Sequence, residues 1–239
     1  MSALAHLIEQ RGIATTTIGL IRVHMERIRP PRGLWVPFEL GRPLGEPGDA
    51  AFQRRVVLAA LALLERNDGP VILEDYAEEA PGRLPQDDWR PAVTLPSVAI
   101  PGANASADEW AAALRAEWAP VLSAASGRPR STVGGGRLDR DRWPELLAAF
   151  AADTPPTDSP VAGLRPVQAA RYVADDLKAL YTEAAIAPGE RPSSRQVLDW
   201  FWNTTVAAAL LRRGRAACLA SDNKVLGLVA NQFVPADRV

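Results

Sequence analysis

Apolar positions change their spacing several times along the first seventy-five residues, and each change predicts an element. Leu4, Leu7 and Ile8 fall on one side of a 3.6-residue turn, which predicts a short helix ended by Gly12. Ile13 to Leu20 is rich in β-branched residues with no breaker before Gly19, and reads as a buried strand. Val23 to Arg29 is polar and predicts a turn of helix that Pro30 and Pro31 stop. Leu34, Trp35, Val36 and Phe38 make a second strand, which Pro37 ends or places at an edge. Beyond a loop dense in Gly and Pro, Asp49 caps a helix to about Arg66. That helix is apolar on almost every side after Arg55, a pattern that predicts burial. Asn67-Asp68-Gly69-Pro70 turns the chain into a short strand, Val71 to Leu73, which opens on Glu74-Asp75-Tyr76. The fold class is α/β: a small parallel sheet with helices in the N-terminal third, then a mostly helical C-terminal half.

Three regions follow. Residues 1–76 form the α/β segment. Residues 77–104 form a connector whose periodicity is broken by prolines at 81, 85, 91, 96 and 101. Residues 105–239 are mostly helical, with predicted helices over 108–123, 141–152, 164–185, 194–213 and 222–233. Leu198, Trp202, Val206 and Leu210 share one helical face. Trp200, Phe201 and Trp202 point around the same helix, so burying all three needs a second covering surface. Thr132-Val133 is a candidate short strand. Gly134-Gly135-Gly136 lacks both the Lys-Ser/Thr ending of a phosphate-binding loop and the spaced glycines of a dinucleotide fingerprint, and reads as a flexible loop.

Composition removes several classes. The 239 residues carry 27 basic and 28 acidic side chains, a net charge of −1, so no bulk attraction to nucleic acid is expected. The longest apolar run, Val56 to Leu64, is far too short to span a bilayer, and the N-terminus has no basic segment of a signal peptide. One cysteine, Cys218, excludes an internal disulfide. Two histidines, His6 and His24, leave little for a zinc centre. A cytoplasmic protein with no membrane or nucleic-acid partner, no metal and no cofactor is the expectation.

Candidate chemistry concentrates between Arg22 and Gly45. Arg22, His24, Arg32 and Arg42 sit near predicted strand ends, where α/β sheets place ligands. Guanidinium forks grip carboxylates, and the Gly41–Gly45 loop lets backbone N–H groups approach an anion. The functional reading is a pocket for a small anionic substrate, with Arg22, His24, Arg32, Arg42, Gly41 and Gly45 binding it. The plainer reading is a solvated basic loop whose ion pairs contribute little. Glu74-Asp75 ends a strand, an address that catalytic carboxylates share with solvated acids. Cys218, in an Ala-rich helix end near Arg212, Arg213 and Arg215, reads as an apolar-like filler rather than a nucleophile.

Between Leu7 and Leu64 the sequence resembles the selenoprotein B family of glycine, sarcosine, betaine and D-proline reductases. The likeness rests on Gly12-Ile13 running into a Thr-rich stretch, on Ile28 to Arg32, and on Trp35-Val36-Pro37-Phe38 followed by Pro43-Leu44-Gly45-Glu46-Pro47. The glycine reductase version has a Pro-Leu-Gly-Asn-Pro turn and a histidine where this chain has Phe38. Asp199-Trp200-Phe201-Trp202 resembles a bacterial branch of the same family. The resemblance implies the C-terminal part, or a subunit, of a reductase acting on a small carboxylate or amine. In that family a selenocysteine or cysteine lies shortly before the first helix seen here, so the chain is expected to lack its own nucleophile. Either a separate subunit carries it, or a selenocysteine codon stands upstream of Met1. The implied partners are a nucleophile-bearing subunit or further copies of the chain. The alternative function is a non-catalytic binding or assembly protein derived from the same family.

Overall fold

The structure, a computed structural model, describes residues 2–80, 88–126, 131–152, 155–190, 192–235 and 238. The chain divides into two compact units, Met1–Leu84 and Pro85–Val239.

The first unit runs α1 (Ser2–Glu9), β1 (Thr17–Gly19), α2 (Arg22–Ile28), β2 (Arg32–Trp35), α3 (Ala50–Ala62) and β3 (Ile72–Asp75). The strands form one parallel sheet in the order β1-β2-β3, with Ile18 opposite Leu34 and Leu34 opposite Glu74. Asp49 caps α3 as its sequence predicts, accepting the Phe52 N–H at 2.9 Å. Phe52, Val56 and Ala60 recur at helical spacing and close with Leu63 over Leu34, Val36, Phe38 and Ile72. Two strand glycines have a packing reason. A Cβ on Gly19 would lie 2.1 Å from the Met25 sulfur, and one on Gly33 would lie 2.6 Å from the Met25 methyl. Glycine at these two strand positions makes room for Met25 of α2 against the sheet.

Two expectations about this unit are corrected. Ile13–Leu20 contributes only three strand residues, all half-buried, and Ile13 is 62% exposed. The α3 helix is not buried on all sides, since Val57, Leu58 and Leu61 reach solvent within this unit. Both errors have one cause: an apolar run reports what could be buried, not whether a small unit has anything to cover it with.

The second unit is helical: α4 (Ala107–Ala125), α5 (Trp143–Ala151), α6 (Pro166–Ala185), α7 (Ser194–Thr204), α8 (Val206–Ala220) and α9 (Lys224–Phe233). Its core is continuous through α4, α5, α6 and α8, and carries Trp110, Trp118, Trp143, Tyr181, Phe201 and Trp202. Phe201 packs edge-on to Tyr181 and Trp202, and Trp200 lies tilted on Tyr181. The second covering surface that these aromatics require therefore lies within the unit. Part of the proline-rich connector also belongs here: Val93 is buried in this core, and the Ala92 N–H donates to the Ala185 carbonyl. Residues 81–87 of the connector lie outside the described residues.

The helix predicted over 194–213 is broken. Thr205 is extended, ends α7 and caps α8, accepting the Ala208 N–H. Helix α4 meets this break with Glu117, which is 2% exposed. Its carboxylate accepts the Val206 N–H at 2.7 Å, the Ala207 N–H at 3.2 Å and the Tyr181 hydroxyl at 2.6 Å. A buried acid thus satisfies the orphan donors of a buried helix start and meets the positive end of its dipole.

Candidate functional site

The three strands are parallel, so β1, β2 and β3 deliver their carboxyl ends, Gly19, Trp35 and Asp75, to one edge. Arg22 starts α2 just past that edge, and its Nε donates to both oxygens of Asp75 at 3.1 Å. Arg22 also pairs with Glu26 one turn along α2. Asp75, reinforced by Glu26's charge, raises the Arg22 pKa further.

Arg32 lies at the other end. It opens β2, at the amino edge of the sheet, and donates to Glu9 at 2.7 Å with only 14% of its side chain exposed. Burial pushes the Glu9 carboxyl up, but the Thr15 N–H and hydroxyl and the Arg32 fork outweigh it and hold it below the usual range. Arg42 pairs inside its own loop with Glu39 and Glu46. His24 is exposed on α2. Gly41 and Gly45 have the positive φ that their turns require. Gly45 is also held tight, since a Cβ there would lie 2.7 Å from the Phe52 ring. Arg22 and Arg32, expected to share one anion, stand at opposite edges of the sheet, and Arg32 ties α1 to β2 instead.

An open cleft of about 540 Å³ does lie at the carboxyl end of β3. Leu34, Ala59, Ala62 and Leu63 form its apolar side, and Arg66, Glu74, Asp75, Tyr76 and Glu78 form its polar side. Arg66 bridges Asp68 and Glu74, the latter at 2.6 Å. Arg55 holds Glu78 at 2.9 Å, and the Tyr76 hydroxyl donates to Glu78 at 3.2 Å. Arg55, its largest influence, brings the Glu78 carboxyl below its ordinary value. Partial burial, followed by Glu78, raises the Tyr76 phenol. Every charge in this cleft is exposed and paired with a neighbour that water can replace.

Comparison with protein-family models, with curated proteins and with solved structures finds no match.

The rest of the polar chemistry is structural. Gly134, Gly135 and Gly136 form no phosphate loop. Their N–H groups point at the Asp176 carboxylate at 3.0, 3.0 and 2.8 Å. The preceding residues are held on the same helix, where Glu183 accepts from the Thr132 N–H at 2.7 Å and from the Ser131 hydroxyl at 2.9 Å. Residues 131–136 are thus fastened along α6, and Thr132-Val133 forms no strand. The expected flexible loop is instead a pinned one: the three glycine N–H groups make an anion nest, and the anion is the protein's own Asp176. Burial pushes the Cys218 thiol up to about 11, so it stays protonated near neutrality and fills space. Among the described residues no group of three His, Cys, Asp or Glu side chains could hold a metal, and no helix is long and apolar enough to cross a membrane.

Sequence reasoning named Glu74 and Asp75 and missed Arg66, Tyr76 and Glu78. The strand end was a usable signal for Tyr76 and Glu78. Nothing local announced that Arg66, just past α3, reaches the same cleft.

Proposed function

We propose that the sheet unit holds a small amine-bearing substrate for a selenoprotein B-like reductase whose reactive selenium or sulfur lies outside these 239 residues. The observation that carries this reading is the cleft at the carboxyl end of β3, which sets one guanidinium and an aromatic ring among three carboxylates. Glycine, sarcosine and betaine each place one carboxylate and one ammonium on a few carbons. Arg66 offers the fork for the carboxylate, and Glu74, Asp75 and Glu78 face the ammonium. Tyr76 supplies an aromatic ring for a methylated ammonium. The excess of acids turns the expected substrate from a simple anion to an amine or zwitterion. The Cys218 thiol, buried and protonated, supplies no nucleophile, so the covalent step needs a selenol or thiol from outside these residues.

A second reading, a non-catalytic binding protein of the same descent, is favoured by one specific fact. Arg22, Arg32 and Arg42 are each already paired with an internal carboxylate. Calorimetric titration separates the two readings. The reductase reading expects glycine, sarcosine or betaine to bind at roughly millimolar strength, in keeping with an open, wet cleft. Asp75→Asn combined with Glu78→Gln should weaken that binding at least about tenfold, the loss of two exposed charge contacts. Heats no larger than dilution for all three ligands would leave the binding-protein reading standing.

A further inference from the structure

A second cleft, in the helical unit, has a different chemical character. It also measures about 540 Å³ and is lined by Leu138, Leu146, Ala149, Pro156 and Pro160 beside Arg142, Glu145, Asp158 and Ser159. Its shape is fixed from three sides. The Trp143 indole N–H donates to the Leu138 carbonyl at 2.9 Å and holds that turn against α5. Arg115 of α4 grips Glu145 and the Asp141 carbonyl, which fastens the start of α5. In the second stretch of chain that lines it, the Ser159 hydroxyl donates to the Val161 carbonyl at 3.0 Å and accepts the Val161 N–H at 3.2 Å, closing the turn next to Asp158.

The charges are disposed unlike those of the first cleft. Glu145 is neutralised by Arg115. Arg142 and Asp158 line the same cleft with opposite charges, yet they form no ion pair with each other, and neither side chain bonds to any other described residue. The rest of the lining is mostly apolar: two leucines, an alanine and two prolines. A ligand that completes this arrangement carries an anion at one end, a cation at the other and an apolar body between.

We propose that this cleft binds a short apolar peptide with both termini free, its carboxylate on Arg142 and its ammonium on Asp158. The volume lies within the roughly 300–1,000 Å³ of small-molecule sites. The arginine fork fits a terminal carboxylate bidentately. Each charge is exposed, so one end alone contributes little, and recognition depends on both ends together with burial of the apolar body. This inference does not rest on the reductase reading and concerns a different unit.

The test uses the full chain and isothermal titration with Leu-Leu, N-acetyl-Leu-Leu and Leu-Leu-amide. Leu-Leu is expected to bind with a Kd of about 0.1–1 mM, the range open to a small ligand in an open site. Capping either terminus should weaken binding at least about fivefold, and so should Arg142→Gln or Asp158→Asn. Both substitutions are at exposed positions, and circular dichroism matching the wild type establishes that they fold. Undetectable binding of Leu-Leu at 10-fold above that range, roughly 10 mM, would overturn the proposal. Capped peptides or variants that bind as tightly as Leu-Leu binds the wild type would overturn it equally. Binding of glycine or betaine at the other cleft is unaffected by any of these outcomes, so the two readings fail separately.

Discussion

Two sets of carboxylates, one in each unit, are held in opposite ways. In the helical unit Glu117 and Asp176 are 2% and 4% exposed, and backbone N–H groups satisfy them. In the sheet unit Glu74, Asp75 and Glu78 lie open to solvent and are held by guanidiniums. An acid buried against amides has no freedom to exchange partners, because leaving a donor unmatched there is expensive. An acid in an exposed ion pair can trade its partner for a ligand at small cost. The buried acids fix structure, and the exposed ones are available for recognition. Core size follows the same division. The sheet unit closes around Leu34, Val36, Phe38, Phe52, Val56, Ala60, Leu63 and Ile72, whereas the helical core runs through most of its helices.

The sharpest way to break this contrast is Glu117→Ala. It leaves two buried N–H groups and the Tyr181 hydroxyl without an acceptor, and should cost about 3–5 kcal/mol, seen as an early urea transition of the helical unit. Glu117→Gln keeps an acceptor and should cost less. If Glu117→Ala melts like the wild type, the carboxylate is not what holds the α7–α8 break. Next in size is Asp176→Ala, which frees the three glycine N–H groups. The expected loss is about 2–3 kcal/mol, together with faster amide exchange at Gly134, Gly135 and Gly136 than elsewhere. Unchanged protection at those amides would mean that the loop is held by Glu183 alone.

A smaller effect belongs to the sheet unit and to pH. Glu9 is held below its ordinary pKa, so it contributes stability above the unfolded value of about 4.3. That contribution is lost as pH falls through the lower folded value. The protection of β1 and β2 amides, relative to their intrinsic exchange rates, should therefore fall below about pH 4, and Glu9→Gln should flatten that acid limb. The smallest effect is expected at the exposed edge. Arg22→Ala should leave the thermal transition where it is, because the Arg22–Asp75 pair stands in water. A clear drop would show that the edge pair is structural after all.

Much of the fold was legible because its signals are local. Asp49 before an apolar run, the Pro30-Pro31 stop and the β-branched stretches are read within a few residues, and they place α3, the end of α2 and the parallel strands. The break at Thr205 was only faintly legible: Asn203, Thr204, Thr205 and Val206 are poor helix formers and Thr is a capping residue, but the apolar periodicity runs on through them. What splits it is Glu117, distant in sequence. The candidate site was half legible for the same reason. Arg22, Glu74 and Asp75 announce themselves by standing at strand ends. The misplacement of Arg32 followed from counting strand ends without knowing which end. In a parallel sheet, the residue that opens a strand lies at the opposite edge from the residue that closes it. The triple glycine reads as a flexible loop because the acid that pins it, Asp176, lies 40 residues away.

The central claim is that exposed, exchangeable acids at the carboxyl end of β3 are where the molecule meets a small substrate. The most direct measurement is an amide chemical-shift map of the whole chain during titration with glycine, sarcosine and betaine. The account predicts that shifts cluster at Arg66 and at Glu74 to Glu78, and that the amides around Glu117 and Asp176 stay unmoved. Shifts that avoid the β3 end, or that gather around the buried carboxylates, would contradict it.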